Sequence, residues 1–230
     1  MACILHIETS TKVCSVALSE DGTCIFEKKD MDGPSHAVCC GVFVDEALSF
    51  ANSHAIPVDA VAVSEGPGSY TGLRIGYSMA KGVCYGLNIP LIALPTTEVM
   101  SVPVLLYHDE LEEDALLIPM IDARRMEVYS AVYDRSLKSV RNVQADIVEA
   151  DTYHAFLDRA PVYFFGNGAD KIQSVITHPN ARFIPDIHPL ARNMFPLAER
   201  KLALGNFADV AYSEPFYLKE FVATKSKSLL

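Results

Sequence analysis

The sequence predicts an α/β chain of two similar lobes. Three observations lead there: runs alternating with period 2 are interleaved with helix-period runs, the element order begins again near residue 116, and turn residues mark the joints. The first thirty residues alternate as ACILHIE, VCSVALS and TCIFEKK, with Glu20-Asp21-Gly22 as a turn, so they form a three-stranded meander. Ser35-His36 then opens AVCCGVFVDEALSFANS as a helix with a serine near its cap. DAVAVSE is a short strand, SEGPGSYTGLRIG runs into a helix that ends about Leu87, and PLIAL is the next strand. Pro90, Pro95 and Pro103 punctuate the end of this βββαβαβ unit.

The second half restarts with LLIPMIDARRMEVYSAVYD. An ungapped offset of 114 sets Glu8 on Asp122, Cys14 on Val128, Ala17 on Ala131, Leu18 on Val132 and Glu20 on Asp134. Each copy reads as a strand ending in an acid, a turn, an alternating strand and a third strand. The second copy goes on with a helix over Thr152 to Arg159, the strand VYFFG and another helix. The expected division is an N-terminal lobe over 1–103 and a C-terminal lobe over 104–230 that carries a C-terminal helix and a basic tail. A duplicated unit with an acid at the first turn of each half is the plan of the actin-like (ASKHA, ribonuclease H-like) superfold, whose two hairpin turns hold the phosphates of ATP. Here Thr9, Ser10, Thr11 and Lys12 offer hydroxyls and one cation to a phosphate, and Asp122 heads the second turn. Arg124 and Arg125 stand where such a loop needs small residues, and two ordinary hairpin turns are the alternative reading.

Half of the 230 residues are hydrophobic, enough for a sizeable core. The start, MACILHIETS, has no basic n-region, and no apolar run approaches the ~20 residues that span a bilayer, so a cytoplasmic protein without a membrane partner is expected. Six cysteines without a CxxC pattern read as reduced, mostly buried thiols. A net charge of -10 without a basic run disfavours direct binding of nucleic acid by this chain alone. The tail with Lys219, Lys225 and Lys227 is locally basic and reads as a solvated terminus.

The stretch SEGPGSYTGLRIG meets neither phosphate fingerprint. Gly72 is followed by Leu73 and Arg74 rather than Lys-Ser/Thr, the third glycine of a dinucleotide loop arrives one residue late, and Pro67 has no N–H to donate. The glycines therefore serve packing. On a wheel at about 100° per residue, Gly72, Gly76, Gly82 and Gly86 fall in one arc with Ile75, Met79 and Val83. Each interior glycine costs about 1 kcal/mol against alanine, so such a face calls for a compensating backbone contact. On the preceding helix Val38 and Val42 sit one turn apart on an otherwise polar face. Together the two helices suggest an apolar helix-pair surface for a partner.

Several runs carry a resemblance to a known family: IETSTKVCSVALSEDG, PSHAVCCGVFVDEAL, AVAVSEGPGSYTGLRIGYSMAKGVCYGLNIPLIAL, IDARRMEVYSAVY and EPFYLKEF. They span nearly the whole chain and resemble the bacterial TsaB (YeaZ) family. The resemblance implies an actin-like, shortened paralogue of TsaD, the catalytic subunit that attaches a threonylcarbamoyl group to adenosine 37 of tRNAs reading ANN codons. It further implies a scaffold that pairs with TsaD, or with itself when TsaD is absent, through the two helices, and works with the ATPase TsaE.

The catalytic paralogue carries a His-x-x-x-His pair after the strand corresponding to PLIAL. The matching positions here are Thr96 and Met100, neither of which replaces an imidazole on a metal. No two of the seven histidines lie three to five apart and no HExxH occurs, so no catalytic residue, metal or cofactor is expected and a peptidase reading has no ligands. A small-molecule kinase or ATPase of the same superfold is the alternative. His36, Glu98 and Asp122 read as polar residues at element ends, and Lys219 stands where the family usually has arginine. If the glycine face is the interface, Met79→Glu or Gly76→Leu abolishes pairing and leaves the fold intact.

Overall fold

The computed structural model describes residues 2–31, 33 and 36–219. The first lobe comprises β1 (Cys3–Glu8), β2 (Cys14–Glu20), β3 (Thr23–Asp30), α1 (His36–Ser53), β4 (Ala60–Gly66), α2 (Tyr70–Leu87) and β5 (Leu91–Pro95). The helix α3 (Thr96–Tyr107) leads to the second, with β6 (Leu116–Asp122), β7 (Glu127–Tyr133), β8 (Ser139–Ile147), α4 (His154–Leu157), β9 (Val162–Phe165) and β10 (Ala181–Ile184). A last helix, α5 (Phe195–Ala203), follows the 3-10 turn Ala191–Met194. The serine expected near the α1 cap, Ser35, lies outside the described residues, as do Lys225 and Lys227.

The two five-stranded sheets follow one path: β3-β2-β1-β4-β5 in the first and β8-β7-β6-β9-β10 in the second. In each, a meander is extended by parallel strands, β4 on β1 and β9 on β6. This is the duplicated actin-like architecture. The meander's second turn is a two-residue hairpin, with Asp21 and Gly22 both at positive φ, 47° and 75°, as a tight right-twisted connection requires.

The ladders correct the ungapped repeat. Glu8 accepts from the Ser10 amide at 2.6 Å and Asp122 from the Arg124 amide at 3.0 Å, the same bond two residues on, so these acids are equivalent. Glu8, however, pairs across the hairpin with Ser15 and Asp122 with Val128, so the second turn is one residue shorter. The other four expected matches, beginning with Cys14 on Val128, are out of register by one, which in a strand puts side chains on opposite faces.

The first sheet is covered on one face by α1 and α2, whose Cys40, Val44, Ala47, Tyr77, Ala80 and Cys84 meet Leu5, Val16 and Val61. Its other face takes Val99 and Val102 of α3 together with Met194, Leu197 and Ala198. The α3 helix also presents Met100 and Val104 to the second sheet, so it is apolar on two sides and lies between the lobes. The C-terminal helix thus packs on the first lobe, contrary to the division drawn from the sequence. Ala208 extends that return by bridging to Leu91 at the sheet edge.

The expected helix over Thr152 to Arg159 contracts to the four residues of α4, and the next helix to a 3-10 turn, Asp170–Ile172. Tyr153, Leu157, Phe164 and Ile172 fill that side of the second core with large side chains on little helix. All six cysteines are free; Cys3, Cys14, Cys40 and Cys84 are buried and Cys24 is exposed. Among the described residues no helix is long and apolar enough to cross a membrane.

Candidate functional site

The helix α2 starts at Ser69, whose side chain accepts from the Gly72 amide at 3.2 Å, and stops at Asn88, a left-handed cap with φ 55°. What its glycines touch depends on the turn of helix. A Cβ on Gly72 would overlap the Thr9 carbonyl oxygen, and one on Gly76 would overlap Thr9 Oγ1. Thr9 Oγ1 donates back to the Gly72 carbonyl at 2.8 Å, and the Ser69 amide donates to the Ser10 carbonyl at 2.7 Å. The start of α2 therefore lies directly on the β1–β2 turn of its own lobe. Gly72 and Gly76, expected on the partner face, are buried in this contact, and the expectation that Gly76→Leu spares the fold is overturned by the overlap with Thr9.

The remaining residues of the predicted face are disposed differently. Ile75, Met79 and Val83 are half-buried against the first core, and Met79 reaches α1 where Gly41 leaves room, 3.7 Å from a Cβ built there. Gly82 and Gly86 are exposed, and among the described residues nothing lies within 4 Å of an added Cβ. Val38 and Val42 on α1 are 67% and 49% exposed. The two helices thus leave an open strip in which apolar side chains stand beside bare helix backbone. Lys28 and Glu46, paired at 3.0 Å, lie to one side of α1.

The phosphate-facing reading of the first turn fails on burial. Thr9, Ser10 and Thr11 are 1%, 0% and 8% exposed, sealed beneath Gly68, Ser69 and α2. Glu8 is buried with them, accepting from the Ser10 amide and the Ser64 hydroxyl; burial raises its carboxyl above the ordinary range against those bonds. The second turn is open by contrast. Asp122 pairs with Lys171, and Arg124 and Arg125 both hold positive φ, 72° and 50°. His36 Nε2 meets the Val13 carbonyl at 3.3 Å.

Between the lobes lie two hollows. One, of about 380 Å³, is lined by Glu65, Pro67, Thr97, Glu98, Tyr133 and Phe216. Burial raises the carboxyls of Glu65 and Glu98, an effect opposed by the Lys201 ammonium, and pushes Tyr133 up to about 12 although Thr97 hydrogen-bonds it. The other, of about 430 Å³, lies between Gly68–Tyr70 and the Asp122–Arg124 turn. Thr96 and Met100 are both fully buried. Among the described residues no group of three or more His, Cys, Asp or Glu is placed to hold a metal ion.

Comparison with known proteins completes the picture. The family model described as TsaD, tRNA N6-adenosine threonylcarbamoyltransferase, matches residues 33–223. The tRNA threonylcarbamoyladenosine biosynthesis protein TsaB of Bacillus subtilis (strain 168) is 30% identical over 176 residues, 75% of this chain and 74% of its own. The chain belongs to the TsaB (YeaZ) family. The Escherichia coli (strain K12) TsaB is 27% identical over 228 residues, covering 96% of each chain. A solved Pseudomonas aeruginosa structure, described as similar to the peptidase YeaZ, superposes with a TM-score of 0.80 at 24% identity. It covers 95% of this chain and 100% of its own, and so shares the fold. This chain is accordingly a member of a tRNA threonylcarbamoyladenosine biosynthesis family.

One set of contacts went unread in the sequence. The run EPFYLKEF gave no periodicity to interpret, yet it seats Phe216 on Glu65, Tyr217 on Tyr70 and Lys219 on Glu127. The signal available was compositional: two adjacent aromatics directly after a proline.

Proposed function

We propose that the chain is a non-catalytic partner subunit in the cytoplasm. It pairs with the catalytic subunit TsaD through α1 and α2 and, with the ATPase TsaE, supports attachment of a threonylcarbamoyl group to adenosine 37 of tRNAs reading ANN codons. It takes no cofactor of its own, and it reaches tRNA through the complex. Two copies pair through the same face when TsaD is absent.

The observation that carries this reading is the open strip formed by Val38, Val42, Gly82 and Gly86 beside half-buried Ile75, Met79 and Val83. Bare backbone on one helix next to projecting valines on the other suits a second helix pair, because close backbone approach multiplies van der Waals contact. Against chemistry in this chain stand Thr96 and Met100, non-ligating and inside the core where the catalytic paralogue is expected to hold its metal. The deciding experiment mixes TsaD and TsaE with threonylcarbamoyl-adenylate, ATP and an ANN-decoding tRNA, with and without this chain, and reads the modified nucleoside by mass spectrometry. Product only in the presence of the chain is the expected result; equal product in both tubes refutes the subunit role.

A further inference from the structure

We infer that residues 211–219 form a clasp that holds the two lobes in one closed arrangement, and that its release opens the cleft between them. The lobes are joined covalently through α3 and through the return at 185–190, which leaves the cleft side free to hinge in a two-lobed architecture. The segment crosses that side with an anchor on each lobe.

On the first lobe the anchors are backbone-directed. Asp209 Oδ1 accepts from the Ala211 and Tyr212 amides at 2.7 and 2.8 Å, which turns the chain toward α2. Lys81 Nζ then donates to the Ala211 and Ser213 carbonyls, both at 3.0 Å, and the Phe216 amide donates to the Glu65 carbonyl at 2.6 Å. The Tyr217 ring lies 4.9 Å from that of Tyr70 at the start of α2. Gly66 makes the approach possible, because the Phe216 carbonyl occupies the space of its missing Cβ. On the second lobe Lys219 pairs with Glu127 at the start of β7.

Placement gives these contacts their consequence. Pro67 and Phe216 line both interlobe hollows, so the segment divides what would otherwise be one continuous cleft. The Lys219–Glu127 pair is partly exposed and its attraction is modest by itself; the first-lobe contacts hold Lys219 against Glu127, so reversing its charge turns the second-lobe anchor into a repulsion between two carboxylates.

The test uses the full chain. Spin labels on non-canonical residues at Ser49 and Arg159, one on each lobe and both exposed, leave the native cysteines unlabelled. In Lys81→Met/Tyr217→Ala/Lys219→Glu the inter-label distance distribution is expected to lengthen and broaden, with unchanged circular dichroism. Amide exchange at 66–70 and 123–128 should speed up on the order of tenfold, as expected of local opening. A wild-type distribution in that folded variant overturns the clasp. If the triple variant loses its fold, the exposed charge pair decides: Lys219→Glu broadens the distribution and adding Glu127→Lys narrows it again. Identical distributions in those two proteins overturn the inference equally.

Discussion

The two lobes share a sheet and differ in its cover. In the first, two 18-residue helices lie over the meander, and α2 presses on the β1–β2 turn until its backbone touches Thr9. In the second, a four-residue helix and a 3-10 turn do the covering, and the equivalent turn at Asp122 stays open. The strand order resists change because each strand's backbone bonds depend on its neighbours, whereas a covering helix can shrink once large side chains replace it in the core. The difference teaches where this architecture accepts new roles. One acid is a buried structural group, the other stands at the surface, and the longer helices carry a face on which none of the described residues packs.

The comparison breaks most sharply at Gly76. Gly76→Leu drives a side chain into Thr9, a buried residue hydrogen-bonded to the helix itself, and is expected to destabilise the chain by about 3 kcal/mol or more. Urea denaturation checks this, and a change below about 1 kcal/mol would mean that α2 does not rest on the turn. Gly82→Leu, on the open strip, should raise stability by up to about 1 kcal/mol through helix propensity while obstructing a partner helix.

The exposed valines come next. Val38→Asp/Val42→Asp should change stability within about 0.5 kcal/mol per site, since both side chains face solvent. Affinity for TsaD should fall tenfold or more, about 1.4 kcal/mol, because a carboxylate is desolvated without a partner. Calorimetric titration showing wild-type affinity would remove α1 from the interface.

A third effect is pH-dependent and concerns the buried acid. Burial raises the Glu8 carboxyl above its ordinary 4.5, so its contribution is fully present below that value and is lost as pH rises through the folded-state value. Wild type should therefore lose stability relative to Glu8→Gln as pH rises above the ordinary carboxylate range. Denaturation midpoints of the two proteins at pH 5 and pH 8 test this, and parallel profiles would refute it.

Much of the fold was legible in the sequence for local reasons. Period-2 alternation located the meanders, Asp21-Gly22 fixed a hairpin, and the restart near residue 116 exposed the second sheet. The α3 helix hid because it is buried from two sides. Val99 and Val102 face one sheet while Met100 and Val104 face the other, so no polar stripe marks a period, and Pro103 within it reads as punctuation. The candidate site was half legible. A wheel groups Gly72, Gly76, Gly82 and Gly86 by angle but is blind to position along the axis, and only contact with the β1–β2 turn separates the first two from the last two. The C-terminal segment was opaque, since its partners Glu65, Lys81 and Glu127 are distant in sequence.

The smallest predicted effect concerns why the open turn tolerates two arginines. Arg124 sits at φ 72° in a short hairpin that β6 and β7 close through the Ala123 amide and the Glu127 carbonyl at 3.1 Å. A side chain in that left-handed region strains against its own carbonyl by roughly 1 kcal/mol, and glycine relieves this at an entropic cost of similar size in the unfolded chain. Arg124→Gly should therefore shift stability by only about 0.5 kcal/mol in either direction. Gly66→Ala at φ 117° meets the Phe216 carbonyl and should cost several times more. If Arg124→Gly proves strongly destabilising in thermal melts, the guanidinium holds a structural contact across the cleft, and the second turn is less open than its burial indicates.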